Sequence, residues 1–415
     1  MATLAQDAAT ETAVDPLDVS RGELYSEDRW QEPFERLRAE SPVHYVPASD
    51  FGAYWSVSTY KPIVEVESLP DIYSSEAGGI TLADFDENMP GAVKMPMFIA
   101  MDRPKHTGQR RTVAPAFTPS EMVRMTDNIR TRTSEILDAL PWGQEFDWVD
   151  TVSVELTTQM LAILFDFPWE DRRKLTFWSD WAGDIELFKD EEKRLERLQH
   201  MHECAAYFGN LWQQKIGKEP TPDLISMMIH SDAMSEMDQM EFLGNLILLI
   251  VGGNDTTRNS MSAAAYGLDL FPDERAKLEA NPALTHNATQ EIIRWQTPLA
   301  HMRRTATQDT MLEGQQIKAG DKLALWYLSA NRDRSIFGDD ADQIVVDRPN
   351  ARRHLAFGHG IHRCVGARLA ELQISVLLEE MAKRRMRVNV VGEPVRVKAC
   401  FVHGYRKLPV EISRY

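Results

Sequence analysis

One stretch of the chain gathers residues able to hold a metal: Arg352-Arg353-His354-Leu355-Ala356-Phe357-Gly358-His359-Gly360-Ile361-His362-Arg363-Cys364-Val365-Gly366. Two glycines and an aromatic precede Cys364, and apolar spacing predicts a helix over 366–383 directly after it. A cysteine on a tight loop at a helix start meets free N–H groups and the positive end of the helix dipole. Both lower a thiol's pKa and hydrogen-bond its sulfur. That is the setting of an anionic thiolate bound to a metal. Two other readings use the same residue types. A lone cysteine is ordinarily a small buried hydrophobe, which is the reading taken for Cys204 and Cys400. Zinc is the other, since His354, His359, His362 and Cys364 offer four ligands, although no paired short-loop spacing is present. The glycines suit close approach to a flat macrocycle.

Three further clusters carry polar groups where apolar periodicity dominates. Gly252-Gly253-Asn254-Asp255-Thr256-Thr257 follows the apolar run Leu246–Val251 inside a long helical pattern. Each glycine costs a helix about 1 kcal/mol relative to alanine, and an unpaired buried Asp costs more. A local reason is expected, such as a kink or bulge that opens the backbone to a ligand. A capped helix end is the plainer alternative, but the period resumes over 259–270. Glu291-Ile292-Ile293-Arg294 places an acid and a base on one helix face. Asp102-Arg103-Pro104-Lys105-His106-Thr107-Gly108-Gln109-Arg110-Arg111 and His301-Met302-Arg303-Arg304-Thr305 are rich in bases.

The pattern Phe357-x-x-Gly360-x-His362-x-Cys364-x-Gly366 resembles the cysteine-loop signature of the cytochrome P-450 superfamily at every fixed position. The other clusters follow in the superfamily's order, over about residues 30–415. The resemblance implies a mainly α fold with a small β portion: a single-domain haem-thiolate monooxygenase with a long central helix over the haem. It implies haem b (iron protoporphyrin IX) with Cys364 as the only protein ligand to the metal, and with Phe357, His362 and Gly366 around it. His106, Arg110, Arg304 and His362 would contact propionates. Glu291 and Arg294, joined by Arg348, would lock the core. Asp255 and Thr256 would be catalytic, as proton source and assisting hydroxyl. Arg103 departs from the pattern, since many members have a second proline there.

What the resemblance implies for function is a monooxygenase that uses O₂ and two electrons to hydroxylate an apolar substrate. Residues 97–105 and 251–261 look like the soluble bacterial branch acting on terminal carbons of medium-chain alkanes and fatty acids. A compact terpenoid is the alternative substrate. A zinc-stabilised helical binding protein is the remoter reading. The positions matching substrate-contacting segments are Leu82, Leu248, Val251, Gly252, Leu299, Ala300, Met302 and Phe401. Neither a Gly-x-Gly-x-x-Gly after a strand nor a cysteine cluster is present, so no flavin, nicotinamide or iron–sulfur site is expected. Electrons would come from a [2Fe–2S] ferredoxin and its NAD(P)H-dependent reductase, steered by Lys105, Arg110, Arg111, Arg352, Arg353, Arg363 and Arg368.

Positioning such a site requires a sizeable scaffold. The 415 residues are 43% hydrophobic and 26% charged, an ordinary folded composition. A net charge of −17 argues against nucleic acid and anionic membranes as partners. Apolar spacing predicts helices over 60–68, 119–140, 152–164, 191–215, 238–271, 285–295 and 366–383. Alternation predicts a hairpin from 43–46 and 54–57, a strand over 322–328 and a β segment over 395–410. Residues 1–20 hold no Lys or Arg and no apolar stretch, as expected of a disordered tail rather than an address signal. Residues 21–415 are then one domain. The longest apolar stretch, 242–251, is far short of the roughly 20 residues of a membrane span. Three cysteines without close pairing fit a cytoplasmic protein.

Overall fold

The structure, a computed structural model, describes residues 15–90, 92–183 and 190–415. Helices come first in mass. The amino-terminal third holds α1 (Gly22–Ser26), α2 (Gln31–Glu40), α3 (Tyr60–Ser68), α4 (Lys105–Val113) and α5 (Pro119–Asp138). The middle holds α6 (Glu155–Phe165), α7 (Arg173–Gly183), α8 (Glu191–Lys215), α9 (Leu224–Ile229) and α10 (Gln239–Leu270). Then come α11 (Pro272–Ala280), α12 (Thr285–Gln296), α13 (Tyr327–Ala330), α14 (Arg334–Phe337) and α15 (Ala367–Lys383). Strands β1 (Val43–Val46), β2 (Tyr54–Val57), β3 (Tyr73–Ser74), β5 (Met302–Ala306) and β8 (Lys322–Leu325) form one sheet ordered β1-β2-β8-β5-β3. A second sheet is ordered β4-β12-β9, from Phe146–Asp147, Pro409–Arg414 and Met386–Val390. Two ribbons pair β6 (Thr310–Leu312) with β7 (Gln315–Ile317) and β10 (Val395–Arg396) with β11 (Tyr405–Lys407). The mainly α architecture with a small β portion is as expected.

Local chemistry explains the elements that matter. Asp238 caps α10 by accepting from the amides of Met240 and Glu241, satisfying donors that have no intrahelical partner. The helix then runs 32 residues without a break and packs on α6, α7, α12 and α15. The α-helical assignment is unbroken through Gly252-Gly253. Gly253 serves packing, since a Cβ there would lie 2.8 Å from Leu161 Cδ2 of α6, whereas a Cβ at Gly252 would meet nothing within 4 Å. The hairpin β1–β2 pairs antiparallel as read, Val43 opposite Val57. The strand read over 322–328 ends at Leu325 and the chain turns into α13. Both conformations bury the same apolar run, so periodicity could not separate them. A π-helical turn, Val149–Val154, leads into α6 where a helix over 152–164 was expected.

The expected tail needs correction. Residues 1–14 lie outside the described residues, but 15–20 pack into the core, with Val19 fully buried. Tyr54 donates its hydroxyl to Asp18 at 2.9 Å, and Tyr25 to the Val19 carbonyl at 2.9 Å. Short acidic segments read as disordered until such long-range partners are known.

One buried ionic lattice ties α12 to the cysteine loop. Arg294 donates twice to Glu291, at 2.7 and 2.8 Å, and both side chains are fully buried. Arg348 Nε reaches the same carboxylate at 2.9 Å, so the arginine expected just ahead of the loop is the one that joins the pair. Arg294 also donates to the carbonyls of Asn331, Ala341 and Gln343. The Asn331 side chain in turn accepts from the Leu355 amide at 2.7 Å. Removing one partner of a buried pair strands the others, at about 3–5 kcal/mol, while an exposed pair is worth about 1 kcal/mol or less. Glu291→Ala should therefore lower stability by about 3–5 kcal/mol in urea unfolding of the holoprotein. Glu40→Ala, which breaks an exposed pair with Arg36, should leave the unfolding midpoint nearly unchanged. Equal, small losses in the two variants would refute the lattice's role.

Candidate active site

The cysteine loop is shaped by backbone constraints. Gly358 and Gly360 adopt φ of +67° and +64°, a region that side chains disfavour. At Gly360 a Cβ would also stand 2.2 Å from the Glu67 carbonyl oxygen, so the loop lies directly against α3. The Cys364 amide closes the turn by donating to the Phe357 carbonyl at 2.8 Å. The sulfur borders a cavity and accepts from the Gly366 amide. Desolvation by the surrounding protein nevertheless pushes the thiol up, although Cys364 is exposed toward the cavity, and the Gly366 amide, Arg110 and Arg363 oppose the rise only in part. The pKa-lowering expected from the helix start is outweighed by desolvation in the protein alone. A bound cation reverses the balance, since a coordinating thiol is deprotonated outright. Cys204 and Cys400 are buried elsewhere, in different clusters of the core.

The cavity wall beside the sulfur is built from bases. His106 from α4 and His362 from the loop stand with ring centroids 4.3 Å apart, and all four ring nitrogens are buried without a hydrogen-bond partner. Burial lowers both pKa values, His106 to about 4, helped by Arg110 and Arg103; Arg304 and His106 press on His362. Arg110 and Arg304 line the same cavity. Two uncharged imidazoles with unpartnered N–H groups and two guanidiniums share one wall, which is what a group bearing carboxylates would satisfy. Phe357 and Gly366 border it too, so every residue expected around the macrocycle lines one space. These residues fit a haem.

The opposite wall is α10. Thr256 faces the cavity and donates its hydroxyl to the Gly252 carbonyl at 2.7 Å. Asp255 does not line the cavity. Its carboxylate accepts from Ser179 of α7 at 3.0 Å and from Arg258 at 2.9 Å, and Arg258 bridges on to the half-exposed Asp180 at 2.8 Å. Adjacent helical residues diverge by about 100°, so acid and alcohol sit on different faces and the structure does not bring them together. Burial raises the Asp255 pKa and Arg258 opposes the rise.

The family model for cytochrome P450 matches residues 93–384. Linalool 8-monooxygenase of Pseudomonas putida is 36% identical over 95% of this chain and 98% of its own length. The chain belongs to the cytochrome P450 family. Among solved structures, CYP153D17 from Sphingomonas sp. PAMC 26605 is 82% identical with a TM-score of 0.92, covering 96% of this chain and 100% of that one. Cytochrome P450-153 from Novosphingobium aromaticivorans is 60% identical with a TM-score of 0.91, at the same coverage. The protein is thus a haem-thiolate monooxygenase that takes O₂, an apolar substrate and electrons from a redox partner. The zinc reading fails: among the described residues no group of three or more His, Cys, Asp or Glu could hold a metal ion. No helix among them is long and apolar enough to cross a membrane.

The P450 cavity corrects half of the substrate positions. Leu248, Gly252, Leu299 and Met302 line it. Leu82 and Ala300 do not; each is 1% exposed or less, packed in the core around the larger sheet. Phe401 packs edge-on against His301, and Val251 lies on the α7 side of α10. Sequence reasoning missed Phe98, Ile99, Leu161, Leu164 and Leu224, which complete the apolar lining. Leu161, Leu164 and Leu224 lie on α6 and α9 with apolar spacing like any core face and no motif to mark them; Phe98 and Ile99 lie on a 3₁₀ turn inside the 97–105 stretch, where only the branch resemblance marked them. The basic patch also shrinks. Lys105 is paired with Glu241 at 2.8 Å, and Arg110 lines the cavity and donates to the Arg363 carbonyl. Arg111, Arg352, Arg353, Arg363 and Arg368 remain exposed.

Cys364→Ala should abolish the strongly red-shifted Soret band of the reduced, CO-bound P450. Cys204→Ala and Cys400→Ala, away from the cavity, should keep it. A red-shifted band persisting in Cys364→Ala would remove the cysteine from the metal.

Proposed function

We propose that this P450 is a cytoplasmic terminal hydroxylase of linear medium-chain alkanes or fatty acids, served by a [2Fe–2S] ferredoxin and its NAD(P)H-dependent reductase. The observation that carries the substrate reading is the open floor at Gly252: a Cβ there would meet nothing within 4 Å. Between Leu248, Thr256 and Leu299 that opening admits a narrow chain end, while Phe98, Ile99, Leu161, Leu164 and Leu224 offer apolar surface for the remainder. The resemblance to the alkane and fatty-acid branch and the likeness to two P450-153 structures support the same reading.

When bound, haem supplies dioxygen activation and insertion of one oxygen atom into a C–H bond. The chain's own residues do the rest. Cys364 Sγ holds the metal, and His106, Arg110, Arg304 and His362 donate to the carboxylates. Thr256 presents a hydroxyl to the reacting space, and Asp255, tethered by Arg258 to the surface carboxylate Asp180, is the proton donor to it. Side-chain rotation must open that link, because Asp255 is held away from the cavity. The apolar lining excludes water. The five exposed arginines flanking the cysteine loop, on a chain of net charge −17, suit an acidic electron donor.

Each buried CH₂ is worth about 0.8 kcal/mol, so affinity should climb with chain length until the cavity is full. Titration with octane, a medium-chain fatty acid and camphor, read by the haem low-to-high-spin shift and product analysis, tests the choice. Linear chains should shift the spin state and emerge hydroxylated at the terminal carbon. In the same assay Thr256→Ala should consume reducing equivalents but release hydrogen peroxide in place of product. Conversion of camphor alone would favour a compact terpenoid.

A further inference from the structure

Glu67 is a buried acid that the site so far leaves unused. It sits in the last turn of α3, 4% exposed, where the helix dipole disfavours a negative charge. Helix stability therefore does not explain it. Its carboxylate is instead gathered by three donors from distant parts of the chain. Oε1 accepts from Arg304 Nη2 at 3.1 Å and from the Tyr327 hydroxyl at 2.5 Å; Oε2 accepts from the His359 amide at 2.8 Å. Arg304 and Tyr327 line the cofactor cavity, and His359 lies between the two positive-φ glycines of the cysteine loop. The Glu67 backbone stands against Gly360, closely enough that only a glycine fits. On its outer side Glu67 borders a surface hollow shared with Ser68, Asp71 and Arg103.

We propose that Glu67 is a positioning residue for the cofactor, aiming Arg304 into the cavity and clamping the cysteine loop at His359. The inference rests on the haem-thiolate reading. Arg304 has its other Nη committed to the Arg303 carbonyl at 2.8 Å. The carboxylate thus fixes the second branch of the fork and with it the direction in which the guanidinium meets a bound carboxylate. Tyr327 and the His359 amide hold the carboxylate in turn, so it cannot swing away with the arginine. Glu67 is ion-paired with Arg304 at the edge of the cofactor cavity, burial raising its pKa and Arg304 opposing the rise; ionised, it favours the more oxidised, more positive iron.

Glu67→Gln preserves shape but removes the charge and turns an NH₂ toward one of the three donors. Loss of such supporting partners typically weakens metal or cofactor holding about 10–100-fold. In purified holoprotein, transfer of haem to apomyoglobin should accelerate by about that factor, and the reduction potential should rise. Glu67→Asp keeps the charge but withdraws it by one methylene. It should speed haem loss while leaving the potential near that of the unsubstituted protein. Both variants are to be read with the red-shifted CO band present; absence of that band in the unsubstituted protein would instead strike the cysteine assignment. Unchanged haem loss and potential in Glu67→Gln would overturn the proposal. So would equal potential shifts in the two variants, which would make the effect general loosening rather than charge and aim. Should Glu67→Gln yield no holoprotein, Glu67→Asp decides alone, and an unchanged rate of haem loss there overturns it.

Discussion

The structure turns on keeping a sulfur anion in a place that disfavours it. The protein packed around Cys364 raises its thiol although the residue is exposed toward the cavity, and one amide donor with two nearby arginines does not cancel that. The metal supplies the missing term, and the polypeptide must hold the sulfur still enough for one cation to satisfy it. That requirement explains glycines at positive φ in a loop pressed against α3, and an amide-to-carbonyl bond across its base. It also explains why the lattice on Glu291 extends through Asn331 to Leu355, just before the loop begins. Rigidity is imported from α12 because a loop of this kind cannot generate its own.

The same economy of burial shapes the cofactor's other edge. Four imidazole nitrogens without partners would be costly in a closed core. Burial keeps both rings uncharged, with one N–H donor apiece, and those two donors are what carboxylates arriving with the cofactor would accept from. Glu67 and Arg304 belong to this edge, an acid–base pair set at the boundary between cavity and surface. On α10, Asp255 is likewise buried only because Ser179 and Arg258 satisfy it, which draws the acid away from Thr256.

Much of this was legible in the residues. The signature around Cys364 and the i, i+3 pair Glu291/Arg294 are local patterns whose chemistry survives any error in element boundaries. Arg348 and the bases that line the cavity followed from the family resemblance, because their order along the chain carries information. Long helices such as α8, α10 and α15 were visible through period. What stayed hidden was nonlocal. Leu82 and Ala300 are apolar whether they face a substrate or the core, and only packing tells these apart. Phe98, Leu164 and Leu224 look like core from sequence, and the strand ending at Leu325 and the helix after it share one apolar run. Lys105 read as a free cation because Glu241, its partner, is 136 residues away. Asp255 and Thr256 are neighbours in sequence, yet a helix turns neighbours apart.

The central claim is that one sulfur of this chain, that of Cys364, lies in the iron's coordination shell. X-ray absorption fine structure at the iron edge of the purified ferric protein tests it most directly. The account predicts one sulfur scatterer beside the porphyrin nitrogens, lost in Cys364→Ala and retained in Cys204→Ala and Cys400→Ala. A first shell of nitrogen and oxygen alone would contradict it.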